Sequence, residues 1–244
     1  MPKFFLPPEE IHENFMTLTG ENYTHARVLR LKSGDAVTIC DGLGTDYRCA
    51  VSDVSSGCIS LVVHASAAAE AESAVACRIY MAFAKADKLE HVMQKATELG
   101  ASEIIAFPSE RCVSRPDSKS LEKKLDRWQK IAASAAAQSG RGRIPVVRAL
   151  SSYDAALDEA ARADLAVLFY ENEMAHTFRA AIEATTPFKT ATLVTGPEGG
   201  FTPSEVEAAK RSGLRICTLG RRILRCETAP LCALSALMYA SGEF

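Results

Sequence analysis

From about residue 77 onward the chain alternates short apolar runs with stretches of helical spacing, and this rhythm constrains the fold more than any other feature. The predicted strands are 77–83, 103–107, 146–149, 165–170, 190–195 and 215–219. Between them, 85–99, 118–139, 152–163, 174–184 and 203–212 repeat apolar residues at helical intervals. In the first of these Leu89, Val92, Met93, Ala96 and Leu99 share one face, and Gly100 supplies the stop. Strand and helix in alternation require an α/β fold, a largely parallel sheet covered on both faces. A last, strongly apolar helix opens at Glu227-Thr228-Ala229-Pro230 and runs to about Ser241. Proline is tolerated there because a first helical turn has no intrahelical N–H bond to lose.

The first 63 residues keep a different beat. Val37, Ile39 and Asp41 alternate with their neighbours, Gly42 and Gly44 turn the chain, and Tyr47, Cys49 and Val51 alternate again. Ser55-Ser56-Gly57 turns it back into Ile59, Leu61 and Val63. Period-two runs joined by glycine-bearing turns predict an antiparallel meander, a small β-barrel, preceded by a short helix over 21–31. The stretch from His64 to Ala76 is small, bland and without period, and reads as a linker. Two domains are therefore expected, 1–70 and 76–244.

Hydrophobic residues make up 48% of the chain and charged residues 24%, enough apolar material for a full core. No apolar run reaches the length of a membrane span. The opening Met1-Pro2-Lys3-Phe4-Phe5-Leu6-Pro7-Pro8 is too short and proline-broken for a signal peptide, so a cytoplasmic protein is expected. Eight cysteines form no Cys-x-x-Cys pair and have no histidine partner completing a zinc set, which predicts reduced thiols and no metal. The net charge of −2 conceals segregation. Arg111 to Arg148 holds ten Lys and Arg against three acids, whereas Ala149 to Glu207 holds ten acids against three bases. The basic stretch suits a phosphate backbone; solvated helix faces account for it equally well.

Ligands of open α/β sheets bind beyond the carboxyl ends of the strands. Three segments fall there: 169–173, Thr195-Gly196-Pro197-Glu198-Gly199-Gly200-Phe201, and Leu219-Gly220-Arg221-Arg222-Ile223-Leu224-Arg225. The glycines let backbone approach a ligand closely. No Lys follows Gly200, so this is no Walker phosphate loop, and the chain lacks Gly-x-Gly-x-x-Gly, which argues against a dinucleotide oxidoreductase. Glu198 would repel a pyrophosphate and suit a ligand with positive charge or hydroxyl donors. A tight strand-to-helix connection is the plainer reading of the same glycines.

Together, Leu193-Val194-Thr195-Gly196-Pro197-Glu198-Gly199-Gly200-Phe201 and the stretch from Leu219 to Ala229 resemble the C-terminal motifs of the SPOUT methyltransferases. More narrowly they resemble the ribosomal RNA small subunit methyltransferase E family, which methylates N3 of a uridine in 16S ribosomal RNA. His25-x-x-Val28-Leu29-Arg30, Lys95-Ala96-Thr97-Glu98-Leu99-Gly100 and Gln138-Ser139-x-Arg141 agree, and the match runs from Phe4-Phe5 to Ala236. Cys226 departs from it, standing where a small polar residue is expected.

The resemblance implies an N-terminal PUA-like barrel for RNA, a C-terminal domain with a deep trefoil knot, S-adenosyl-L-methionine as cofactor, and a homodimer acting on 16S ribosomal RNA or the small ribosomal subunit. Carried over, Thr195, Gly196, Pro197, Glu198 and Gly199 would line the methionine and ribose part of the pocket. Leu219, Gly220, Ile223, Leu224, Thr228 and Ala229 would surround the adenine. RNA contacts are expected from His25, Arg30, Arg111, Arg141 and Arg143. Removing the uridine N3 proton spreads negative charge over two flanking carbonyl oxygens, which a fixed cation would favour. Arg225 is the candidate; its alternative role is a salt bridge to Glu227 or Glu198. Two rival functions remain at this level: a related methyltransferase acting on transfer RNA or a ribose hydroxyl, and a non-catalytic RNA-binding assembly factor.

Overall fold

Each of the two sequence rhythms produces its own sheet. A computed structural model of the protein describes residues 1–85 and 87–244. These divide into one unit of Met1–Glu72 with Ala136–Ile144 and a second of Ser73–Ala135 with Pro145–Phe244.

The first unit contains β1 (Lys3–Phe5), β2 (Phe15–Leu18), α1 (Gly20–Val28), β3 (Ala36–Cys40), β4 (Thr45–Ser55) and β5 (Cys58–Ala68), in the sheet order β1-β3-β4-β5-β2. The predicted meander is β3–β4–β5, antiparallel throughout, while β1 joins β3 in parallel. Two register shifts between β4 and β5, at Arg48/Cys49 and Val51/Asp53, are bulges that curl the sheet around a core of Phe4, Leu18, Ile39, Val51 and Leu61. The expected linker is shorter than its composition suggests, because 64–68 continue β5. All five are exposed, so no buried face imposes the alternation that marks a strand.

The segment 141–143 corrects a second expectation. Arg141 is 4% exposed, and its Nε and Nη2 donate to the two carboxylate oxygens of Glu72 at 3.2 and 2.8 Å. The same carboxylate accepts the backbone N–H groups of Gly142 and Arg143 at 2.9 and 3.0 Å. Arg141 is thus a buried structural partner, turned away from any phosphate in solvent, and 141–143 is a pinned turn. Gly142 is required there, since a Cβ would run into Ala69. Arg143 keeps an exposed side chain.

The second unit is a six-stranded sheet, parallel throughout. It comprises β6 (Ala76–Ala82), α2 (Ala86–Glu98), β7 (Glu103–Phe107), α3 (Ser118–Ser139), β8 (Val146–Ala149), α4 (Tyr153–Ala160), β9 (Leu165–Phe169), α5 (Phe178–Glu183), β10 (Thr190–Thr195), α6 (Pro203–Arg211), β11 (Arg215–Cys217) and α7 (Thr228–Ala240). The strand order is β11-β9-β10-β6-β7-β8. β10 lies between β9 and β6 and bonds to both, so it is buried along nearly its whole length. One apolar cluster, including Tyr80, Phe107, Leu168, Val194 and Phe201, fills one face of the sheet. Trp128, the one tryptophan of the sequence, is 1% exposed and packs as core. All eight cysteines are free thiols. Among the described residues no helix is long and apolar enough to cross a membrane.

Removing one partner of a buried ion pair leaves a charge without compensation, at a cost of about 3 kcal/mol. Glu72→Gln is therefore expected to lower the urea-unfolding free energy by about that amount, with the loss confined to the transition that reports the first unit. An unchanged midpoint would show that Glu72 does not hold the 141–143 turn.

Candidate functional site

The order β11-β9-β10 puts the carboxyl ends of three neighbouring strands side by side, and the loops that leave them meet around a cavity of about 590 Å³. That size suits a small organic ligand.

The loop after β10 is fixed at both ends. Thr195, 1% exposed, ends the strand with its hydroxyl toward the Tyr80 carbonyl at 3.4 Å. The Gly200 N–H closes a turn on the Pro197 carbonyl at 3.0 Å. Phe201 then plunges into the core against Tyr153, and Thr202 starts α6. Thr202 and Glu205 form a reciprocal capping box with Pro203 in the first turn. The sequence Phe-Thr-Pro-Ser-Glu thus sets where the bend must end. Gly200 has φ +65°, and a Cβ on it would strike the carboxylate of Glu171, which lies over the bend from the β9 loop. Across the same bend Arg111 donates from Nη1 to the Gly199 carbonyl at 3.1 Å.

The loop after β11 opens with Thr218, whose hydroxyl bonds to both the N–H and the carbonyl of Gly220 at 3.1 Å. It returns into α7 when the Thr228 and Ala229 N–H groups bond to the Arg225 carbonyl at 2.9 and 3.0 Å. Thr195, Gly196, Pro197, Glu198, Gly199, Leu219, Gly220, Ile223, Leu224 and Ala229 all line the cavity, and so does Arg225. Thr228 lies outside the lining, exposed at the start of α7. Ile223 is 83% exposed, at the mouth rather than deep within.

A cluster that sequence reasoning missed centres on Lys88 of α2. Its Nζ lies 3.5 Å from Glu198 Oε1, 3.3 Å from Glu227 Oε2 and 3.6 Å from Cys226 Sγ. Burial works against the Lys88 charge, but Cys226 and the two carboxylates outweigh it and hold its pKa above the ordinary value. For Glu198, burial is likewise outweighed by the Lys85 N–H and Lys88, which keep it ionised. Burial, with Glu227 and Glu198 adding to it, pushes the Cys226 thiol up to about 11. Nothing in the sequence joins Lys88 to residues more than a hundred positions away. Glu198 and Glu227, the acids proposed as alternative partners of Arg225, are each paired with Lys88. Among the described residues Arg225 enters no ion pair.

The geometry has a counterpart among known proteins. An RNA methyltransferase domain family matches residues 71–238, and an RNA methyltransferase PUA domain family matches 18–63. The ribosomal RNA small subunit methyltransferase E of Bacillus subtilis is 36% identical over 98% of this chain and 96% of its own. The chain belongs to the ribosomal RNA small subunit methyltransferase E family. A Synechocystis member is 32% identical over 96% of this chain and 76% of its own. Two solved structures are close in fold. The Neisseria gonorrhoeae family member, bound to S-adenosyl methionine, has a TM-score of 0.86 at 30% identity, covering 98% of this chain and 97% of its own. A putative methyltransferase from Legionella pneumophila in complex with the cofactor SAM has a TM-score of 0.88 at 29% identity, with the same coverage.

The expected RNA-facing residues fall in different places. His25 is exposed on α1 with its ring edge-on to Phe4, 5.4 Å between centroids. Arg30 is exposed just beyond α1 in a left-handed conformation, φ 58°. Arg111 is exposed but joined to the cavity loop, Arg143 is exposed, and Arg141 is buried as described above. Lys95 and Glu98 form an ordinary helix-face pair at 2.8 Å.

Because an alanine at Gly200 would hold a strained positive φ and push the Glu171 carboxylate aside, Gly200→Ala is expected to destabilise the protein by about 1 kcal/mol and to reshape the cavity. Thermal unfolding with and without ligand checks both; unaltered stability and ligand affinity would show that the bend tolerates a side chain.

Proposed function

We propose that the protein is a cytoplasmic, S-adenosyl-L-methionine-dependent methyltransferase that methylates N3 of a uridine in 16S ribosomal RNA, as naked RNA or within the small subunit. The observation that carries this reading is the meeting of the Gly-Pro-Glu-Gly-Gly bend and the Leu-Gly-Arg-Arg-Ile-Leu-Arg bend around one cavity at the carboxyl ends of adjacent parallel strands. The relatives solved with S-adenosyl methionine support the cofactor. The insertion of β10 between β9 and β6 supports a trefoil-knotted SPOUT arrangement of the second unit. The outward face of α7, with Thr228, Cys232, Ala236 and Tyr239 exposed and no charge along the helix, supports a homodimer.

The residues present fit that cofactor. Leu219, Leu224 and Ala229 offer an apolar edge for a purine, with backbone N–H and C=O groups beside it. Glu171 supplies a carboxylate for hydroxyl donors, and Glu198 and Glu227 share the single cation of Lys88, so that cluster keeps net negative charge beside a cationic ligand. When bound, the cofactor supplies an electrophilic methyl group on a sulfonium sulfur. The chain's own contribution is alignment and charge. Arg225 stands at the cavity with a guanidinium that has no acidic partner among the described residues, where it can stabilise the anionic oxygens of a uracil losing its N3 proton. In the first unit, the PUA domain and the exposed His25, Arg30 and Arg143 are the surface proposed to hold RNA.

Incubating the protein with small-subunit ribosomal RNA and labelled S-adenosylmethionine, then digesting to nucleosides for mass spectrometry, is expected to yield 3-methyluridine. Label on a ribose, on transfer RNA alone, or nowhere would overturn the assignment. In the same assay Arg225→Ala is expected to lose about a hundredfold in turnover while keeping cofactor affinity by calorimetry. Full activity in that variant would remove Arg225 from the mechanism.

A further inference from the structure

The basic stretch from Arg111 to Arg148 is the obvious place to seek a phosphate-binding surface, yet most of its arginines already have partners. Arg115 donates to the Ser109 and Glu110 carbonyls, Arg127 grips Glu90 with two bonds, Arg141 holds Glu72, and Arg148 bridges Glu103 and Glu159. The mouth of the cavity is the reverse. Arg221 and Arg222, beside Arg225, are exposed on the loop after β11, line the opening, and enter no ion pair or side-chain hydrogen bond among the described residues. The cavity lining carries Lys88 and these three arginines against Glu171 and Glu198, four cations against two carboxylates, in a chain whose net charge is −2. Glu198 is already paired with Lys88, so the excess positive charge sits on the arginines.

Three guanidiniums within five positions repel one another, and among the described residues none of them has an acidic partner. Such an arrangement favours an anion that arrives with the substrate. A single small carboxylate would need one of them, whereas a nucleic acid presents a phosphate at every step. N3 of uridine lies on the base-pairing edge, so a uridine methylated there must be unpaired. Its flexible backbone then needs fixing on either side of the target.

We infer that Arg221 and Arg222 form a phosphate clamp at the cavity mouth, gripping the single-stranded RNA backbone that flanks the target nucleotide. The inference rests on the RNA-methyltransferase reading above and deepens it by locating where the strand is held. Arg225 faces the reacting base in that scheme, and the clamp is separate from it.

The test is the salt dependence of binding to a fluorescent oligouridylate, measured with the full-length protein by anisotropy. Each phosphate contact to single-stranded RNA contributes about 0.7 to the slope of log affinity against log salt. The double variant Arg221→Gln/Arg222→Gln is expected to reduce the slope by about 1.4 for its two lost contacts. It should keep its S-adenosylmethionine affinity and its thermal midpoint, both side chains being exposed. Arg221→Lys/Arg222→Lys, which keeps the charge, should keep most of the slope. An unchanged slope in the glutamine variant would overturn the clamp. So would a loss of cofactor affinity in place of RNA affinity, which would assign these arginines to the cofactor's carboxylate. The expected slope change in the glutamine variant, together with wild-type protein that transfers no methyl group, would overturn the methyltransferase reading and leave the clamp standing.

Discussion

The double-sided pairing of β10 is the constraint on which the functional site depends. Its residues bond to β6 along one edge and to β9 along the other, and Leu193 and Val194 are fully buried between the helical layers. A strand held on both edges cannot shift register without reversing every side chain between the sheet's two faces. Thr195 is therefore delivered to one fixed place, with the Gly-Pro-Glu-Gly-Gly bend next to the loops leaving β9 and β11. The capping box of α6 and the buried ring of Phe201 fix the other end of the bend. Between these anchors the glycines give the backbone the conformations it needs.

Charge is distributed in a way that net composition hides. In the second unit, acids and bases far apart in sequence cancel in pairs, as Arg127 does with Glu90 and Arg148 with Glu103 and Glu159. Lys88 is shared between the carboxylates of Glu198 and Glu227 beside the cavity. Three cations without an acidic partner among the described residues, Arg221, Arg222 and Arg225, stand together on the loop after β11, at the mouth. A protein of mildly acidic charge can thereby present a cationic opening without any basic domain, because pairing decides which charges are available to a partner.

Much of the fold was legible because burial imposes periods on sequence. The strands at 103–107, 146–149 and 190–195 and the long helix at 118–139 fall where their apolar spacing placed them. The continuation of β5 through 64–68 was not legible, since both faces of that stretch meet solvent and no period results. The glycine bends of the cavity were readable from the residue types that backbone crowding demands. Lys88 was not, and neither was the burial of Arg141, because each depends on partners brought close only by folding.

By itself the sequence determined the two rhythms, the fold classes they require, and the two bends rich in glycine and arginine, all of which follow from local spacing and steric need. The tertiary structure alone decided that β10 would enter between β9 and β6, that the two bends would face each other, and which charges would be cancelled. The physical reason is one of range. Periodicity and backbone freedom are properties of neighbouring residues, whereas strand order and ion pairing join residues separated by many tens of positions, for which no short stretch of chain carries a signal.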